Sequence, residues 1–106
     1  FGPGDGGKAV LLLSRLRAPA AYVPVEIAPG WLDAVASRVS EEVPGVPVLP
    51  VAADFARAFA LPPGVPRERR LGFFPGSTIG NFEPTEAADL LRRFRAALGP
   101  SARLLL

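Results

Sequence analysis

The sequence predicts one α/β domain, a parallel sheet with flanking helices. Three observations carry this. Short apolar runs rich in β-branched and aromatic residues alternate with helix-spaced segments, and that alternation implies parallel strands joined by right-handed crossovers. The chain opens on a glycine-rich loop, Gly2-Pro3-Gly4-Asp5-Gly6-Gly7, of the kind that leaves the end of a strand in such sheets. Finally, 106 residues at 49% hydrophobic and 21% charged can bury one core and are too apolar for a disordered segment.

The elements follow in order. Lys8 to Leu16 reads as a helix, apolar nearly all round and therefore expected to be buried on more than one side; Pro19 stops it. Ala21 to Ile27 is the first strand. Pro24 counts against a regular central strand, so an edge position or a local irregularity is expected. Pro29 suits the first position of a helix, in which Leu32, Val35, Val39 and Val43 recur at helical spacing. Val46 to Ala53 is a second strand, again interrupted by prolines, and Arg70 to Phe74 a third. Pro84 opens the last helix, with the stripe Leu90, Leu91, Phe94 and Leu98, and Gly99-Pro100 ends it. Ala102 to Leu106 starts a fourth strand. The glycine loop has no strand ahead of it, so the central strand is expected upstream of Phe1. Both ends are expected to lie inside a longer chain, since the first residue is Phe1 and the last run, Leu104-Leu105-Leu106, is apolar.

Composition narrows the chemistry. Cys and His are both absent, which removes disulfides, thiol catalysis, imidazole bases and the usual zinc ligand sets; no metal site is expected. No apolar run approaches the ~20 residues of a membrane span, so no membrane partner is expected either. The formal charge is +2. The tightest cationic clusters, Arg67-Glu68-Arg69-Arg70 and Arg92, Arg93 and Arg95, are mixed with acids. They read as a solvated loop and a solvated helix face, not as a nucleic-acid surface.

The candidate site starts with the glycine loop. Gly2, Gly4 and the glycines after them let the backbone turn tightly and let a cofactor approach it closely; a plain turn is the alternative. Glu26, about 20 residues on at the end of the next strand, is placed to accept hydrogen bonds from both hydroxyls of a ribose, or else is a strand-end carboxylate facing water. Asp54 ends the following strand, where it can accept from an adenine amino group while Phe55 walls the ring. The alternative for that pair is a helix cap and a core aromatic. The densest segment is Gly72-Phe73-Phe74-Pro75-Gly76-Ser77-Thr78-Ile79-Gly80-Asn81, which leaves the carboxyl end of a predicted strand, the place where open α/β sheets bind ligands.

That segment resembles the signature of the histidine-specific N-methyltransferases of ergothioneine biosynthesis. Ala20 to Ile27 resembles their second strand and Leu49 to Phe55 their third, so the similarity spans nearly the whole chain. The resemblance implies a Rossmann-like class I methyltransferase fold, with residues 1–106 forming part of the S-adenosylmethionine-binding domain. It implies S-adenosylmethionine as cofactor, held by Gly2, Gly4, Lys8, Glu26, Asp54 and Phe55. It implies a small amino-acid substrate, histidine, held near its head group by Gly76 and Asn81, and a cytoplasmic enzyme. The implied reaction is direct displacement, with a neutral α-amine attacking the methyl group and a thioether leaving. No catalytic base is assigned in these residues. The sequence departs from the family pattern at Pro3 and Asp5-Gly6, where a Ser-bearing loop is usual, and at Glu26, where Asp is usual. Two other readings fit the glycine loop. A nicotinamide-dependent oxidoreductase would lack the Pro75–Asn81 loop and would be expected to carry a Tyr-x-x-x-Lys pair, which is absent. A non-catalytic nucleotide-binding domain would share every feature named so far.

Overall fold

The computed structural model describes residues 1–106. Its elements are α1 (Gly7–Leu13), β1 (Val25–Glu26), α2 (Pro29–Glu42), β2 (Val51–Ala52), β3 (Leu71–Phe73), a 3-10 turn (Thr78–Asn81), α3 (Pro84–Leu98) and β4 (Arg103–Leu105). The expected order of helices and strands is present, and both strand pairs are parallel. The sheet, however, is not one sheet. β1 pairs only with β2, and β3 only with β4.

The prolines explain why β1 and β2 are so short. Tyr22 donates to Pro47 O and its carbonyl accepts from Leu49; further on, Val51 donates to Pro24 O and Ala53 to Glu26 O. Between these bonds Pro24 has no N–H to give the facing strand, so the ladder breaks into an isolated Tyr22–Val48 bridge and a two-residue strand. Pro24 is thus accommodated as a local irregularity. Pro50 lies between two residues that donate to β1, so its missing N–H falls on the outer side of β2, where nothing pairs.

Each strand pair has its own core. Leu13 of α1 packs with Val35 and Val39 of α2. Phe74 packs with Leu90, Phe94 and Leu98 of α3, and Phe1, Phe55, Phe59 and Ile79 close over them. The last helix sits tightly on its strand: a Cβ at Gly72 would come within 2.6 Å of Leu98 Cδ1 and 2.9 Å of Leu104 Cδ1. Pro84 opens α3, and the Glu86 carboxylate accepts the Glu83 N–H at 3.0 Å, one orphan donor of the helix start satisfied.

Two consecutive backbone nitrogens join the halves. The Phe1 nitrogen donates to Phe73 O of β3 at 2.8 Å, and the Gly2 nitrogen donates to Val25 O of β1 at 3.1 Å. Phe1 and Gly2 thus bridge the carboxyl ends of β3 and β1, their two nitrogens directed to opposite sides. Behind them the two facing strand edges enclose a slot of about 530 Å³, lined by Leu12, Leu16, Tyr22, Val23, Leu71 and Phe73 among others.

That slot corrects the reading of the first helix. Helix α1 ends at Leu13, not Leu16. Ser14 Oγ donates to Val10 O at 2.7 Å, and the next bonds, Arg15 to Leu12 O and Leu16 to Leu13 O, are the tighter three-residue kind; a Ser hydroxyl competing for the helix carbonyl favours such an end. Nor is the helix buried on more than one side. Ala9 and Leu13 are buried, while Leu11 is 64% exposed and Leu12 and Leu16 face the slot. No helix is long and apolar enough to cross a membrane.

Only 14 of the 106 residues are buried, which leaves little apolar burial to offset chain entropy. Burial also pushes the Phe1 amine from 8.0 down to about 6, against the opposing pull of the Glu26 charge. The 106-residue chain alone is therefore expected to melt without a sharp cooperative transition in a thermal circular-dichroism scan. What order it has should strengthen as pH rises from about 6 to about 8, because there the unfolded chain binds the proton that the folded one has released. A sharp transition, or order that weakens over that pH range, would contradict this.

Candidate functional site

The glycine loop crosses the carboxyl ends of β1 and β3, tied to each by one of the backbone nitrogens described above. It adopts left-handed backbone where only glycine is comfortable. At Gly6 (φ +84°) a Cβ would also strike Val35 Cγ2 at 2.6 Å, so the loop rests directly on α2. Gly4 has φ +58° and nothing within 4 Å of its Cβ position, so it faces open space. Gly2 has φ +57°, and its Cβ position is 3.3 Å from the ring of Phe55.

Glu26 follows Val25, whose carbonyl holds Gly2. The residue as a whole is half-buried. Oε1 accepts the N–H groups of Ile27 at 2.9 Å and Ala28 at 3.1 Å, at the start of α2. A carboxylate has about four acceptor positions, so the other oxygen remains available.

Asp54 lies two residues beyond β2. Its Oδ1 accepts the Ala56 N–H at 2.9 Å, while Arg57 donates to Asp54 O at 3.0 Å. It therefore caps a turn, not a helix, and one carboxylate oxygen is left over. Phe55 is half-buried and meets Phe74 edge-on at 5.5 Å between ring centroids. It serves as a core aromatic and at the same time walls the glycine loop.

The loop after β3 completes the rim. Gly76 (φ +81°) lies beside helix α1, its Cβ position 3.8 Å from Lys8 Nζ. Thr78–Asn81 is a 3-10 turn. Asn81 is exposed at its end. The structure thus brings Gly2 against Phe55 and Lys8 against Gly76, and sets Glu26 next to the loop's anchor. It shows no contact from Asn81 to the others.

A family model described as histidine-specific methyltransferase, SAM-dependent, matches residues 1–106. The chain belongs to this family. Two curated relatives are both named histidine N-alpha-methyltransferase. The one from Mycolicibacterium smegmatis is 32% identical over 109 residues, and the one from Mycobacterium tuberculosis 34% identical over 110. Each alignment covers 100% of this chain and 33% of the relative, so the chain spans about a third of the length of the curated relatives it matches.

Within this chain, two arginines have roles the sequence reading missed. Arg70 was grouped with a solvated cluster. It is half-buried, and its guanidinium donates to Leu98 O at 3.0 Å and Pro66 O at 2.6 Å, so it closes the C-terminal end of α3. Arg38 on α2 reaches the glycine loop, donating to Asp5 O at 3.0 Å. The 33-residue separation hid that contact; the only local signal was Glu42 one helical turn further on.

The two loop glycines should respond differently to alanine. Gly4→Ala meets only the left-handed backbone penalty, about 1–2 kcal/mol. Gly6→Ala adds overpacking against Val35, about 1–3 kcal/mol more. In chemical denaturation of the full-length protein, Gly6→Ala should be the less stable of the two. Equal stabilities would show that the loop does not rest on α2 as described.

Proposed function

We propose that the full-length protein transfers a methyl group from S-adenosylmethionine to the α-amino nitrogen of histidine, and that residues 1–106 hold the cofactor and the substrate's head group. The observation that carries this is the rim: the glycine loop, Glu26, Asp54-Phe55 and the Gly76–Asn81 loop all lie at or just beyond strand carboxyl ends, with Gly2 against Phe55 and Lys8 against Gly76. Family membership and the names of the relatives support the same reading. The resemblance extends it to repeated transfer, giving trimethylhistidine on the way to ergothioneine in the cytoplasm.

The residues present fit the cofactor. Gly2 and Gly4 form a backbone floor on which a side chain at Gly4 would project into the open space. The free oxygen of Glu26 suits a ribose hydroxyl, and that of Asp54 an adenine amino group. Phe55 offers an apolar wall, and Lys8 a cation for a carboxylate. Bound there, S-adenosylmethionine supplies an electrophilic methyl group on a positively charged sulfur. Gly76 and Asn81 would fix the amine and carboxylate of the substrate; the Asn81 amide offers both a donor and acceptors on one rigid group. The work of these residues is alignment and exclusion of water, and none is assigned a proton transfer or a covalent bond.

We further infer that a strand ending at Phe1 fills the slot between β1 and β3, giving one Rossmann-like parallel sheet in the order β2, β1, this strand, β3, β4. The oppositely directed nitrogens of Phe1 and Gly2 and the apolar lining of the slot support it.

Two substitutions in the full-length protein separate cofactor from substrate. Asp54→Ala should weaken S-adenosylmethionine binding by about 1–3 kcal/mol in a calorimetric titration. Asn81→Ala should leave that binding nearly intact and slow methylation of histidine roughly a hundredfold, the size of a small misplacement of reacting groups. Methyl transfer is followed over a panel of free amino acids. If another amino acid is methylated and histidine ignored, the substrate assignment falls. If the cofactor binds and nothing is methylated, the protein is a non-catalytic nucleotide-binding domain.

A further inference from the structure

We propose that Arg38 is a positioning residue for the cofactor loop: acting from helix α2, it fixes Asp5 and thereby sets the affinity for S-adenosylmethionine. This rests on the cofactor reading above. Asp5 is the only residue among Gly2–Gly7 with a side chain able to make polar contacts. Internally the loop is held by Gly6 donating to Pro3 O at 3.1 Å and Gly7 donating to Asp5 Oδ1 at 2.9 Å. From outside, Arg38 Nη1 donates to Asp5 O at 3.0 Å and lies 3.4 Å from Asp5 Oδ2. One guanidinium nitrogen therefore holds both the backbone and the carboxylate of the same residue, at the crest of the loop.

Arg38 is itself oriented. Its Nε donates to Glu42 Oε2 at 2.6 Å, one helical turn along α2. The chain of contacts runs from Glu42 through Arg38 and Asp5 to the Gly7 N–H, the first residue of α1. It also continues the apolar support that Val35 gives to Gly6 one turn earlier on the same helix. The Gly7 N–H and Arg38 together hold the Asp5 carboxyl below its ordinary range, in keeping with a carboxylate that stays charged and paired. Asp5 is well exposed and Arg38 only partly covered. Exposed ion pairs add little to global stability, so the effect of this one belongs to the shape of the loop, where glycines at Gly2, Gly4 and Gly6 leave the backbone little steric restraint of its own.

The test uses the full-length protein and two readouts. Calorimetric titration with S-adenosylmethionine is run on the unmodified protein, Arg38→Ala, Arg38→Lys, Glu42→Gln and a control, Arg92→Ala, whose ion pair with Asp89 lies on exposed α3. Amide exchange at Gly6 and Gly7 is followed without cofactor. Arg38→Ala should raise the Kd about fivefold, the scale an exposed ion pair reaches, and speed exchange at both glycines. Arg38→Lys should recover part of the loss, Glu42→Gln should cause a smaller loss, and Arg92→Ala none. Tm should move by no more than about 2 °C in any of them, and histidine affinity at saturating cofactor should stay unchanged. A Kd for Arg38→Ala equal to that of the unmodified protein overturns the proposal alone, whether or not Tm falls, because a merely structural pair would move Tm and not Kd. An unmodified protein that binds no S-adenosylmethionine overturns the cofactor reading and this proposal with it.

Discussion

The joining of the two halves rests on two adjacent backbone nitrogens and the phenylalanine cluster beside them. Phe1 reaches β3 and Gly2 reaches β1, and between the two strand pairs no other ladder runs. Each strand pair has its own core, but Phe55, three residues beyond β2, crosses to pack on Phe74 and Phe94 of the second. Placing Glu26 and Asp54 on the same rim as Gly76 and Asn81 is therefore shared between the start of the glycine loop and Phe55. Phe1 adds to this by stacking on Phe94 at 3.8 Å between ring centroids, which plants the loop's entrance in the core of the second half.

The same constraint explains where function concentrates. Side chains at strand carboxyl ends need not sustain a ladder, so they are free to carry polar chemistry. Here that freedom is only partial. One oxygen of Glu26 and one of Asp54 are already committed to backbone N–H groups, which orients each carboxylate before any ligand arrives. Prior orientation of this kind lowers the entropy that binding must overcome.

Element order was legible in the sequence because it rests on local signals: Pro29 and Pro84 opening helices, the 3.6-residue spacing of Leu32, Val35 and Val39, and Gly99 closing α3. What was not legible depends on partners distant in the chain. Nothing local says that Ser14 will end α1 early or that Leu12 and Leu16 will face a slot. The candidate site residues were chosen by type and spacing and through a family signature, and their roles toward cofactor and substrate are the proposal made above. Their supports were not legible: Arg70 reaches α3 from 28 residues away and Arg38 reaches Asp5 across 33. Such contacts follow from the packed fold, and sequence periodicity is blind to them.

The central claim is that Phe1 and Gly2 end a strand that unites two half-sheets and delivers the glycine loop to a cofactor. It is tested most directly by a crystal structure of the full-length protein with S-adenosylhomocysteine bound. The arrangement described here predicts a strand running between β1 and β3 into Phe1, with the cofactor over Gly2 and Gly4 and its ribose on Glu26. Direct pairing of β1 with β3, or a cofactor bound away from the glycine loop, would contradict it.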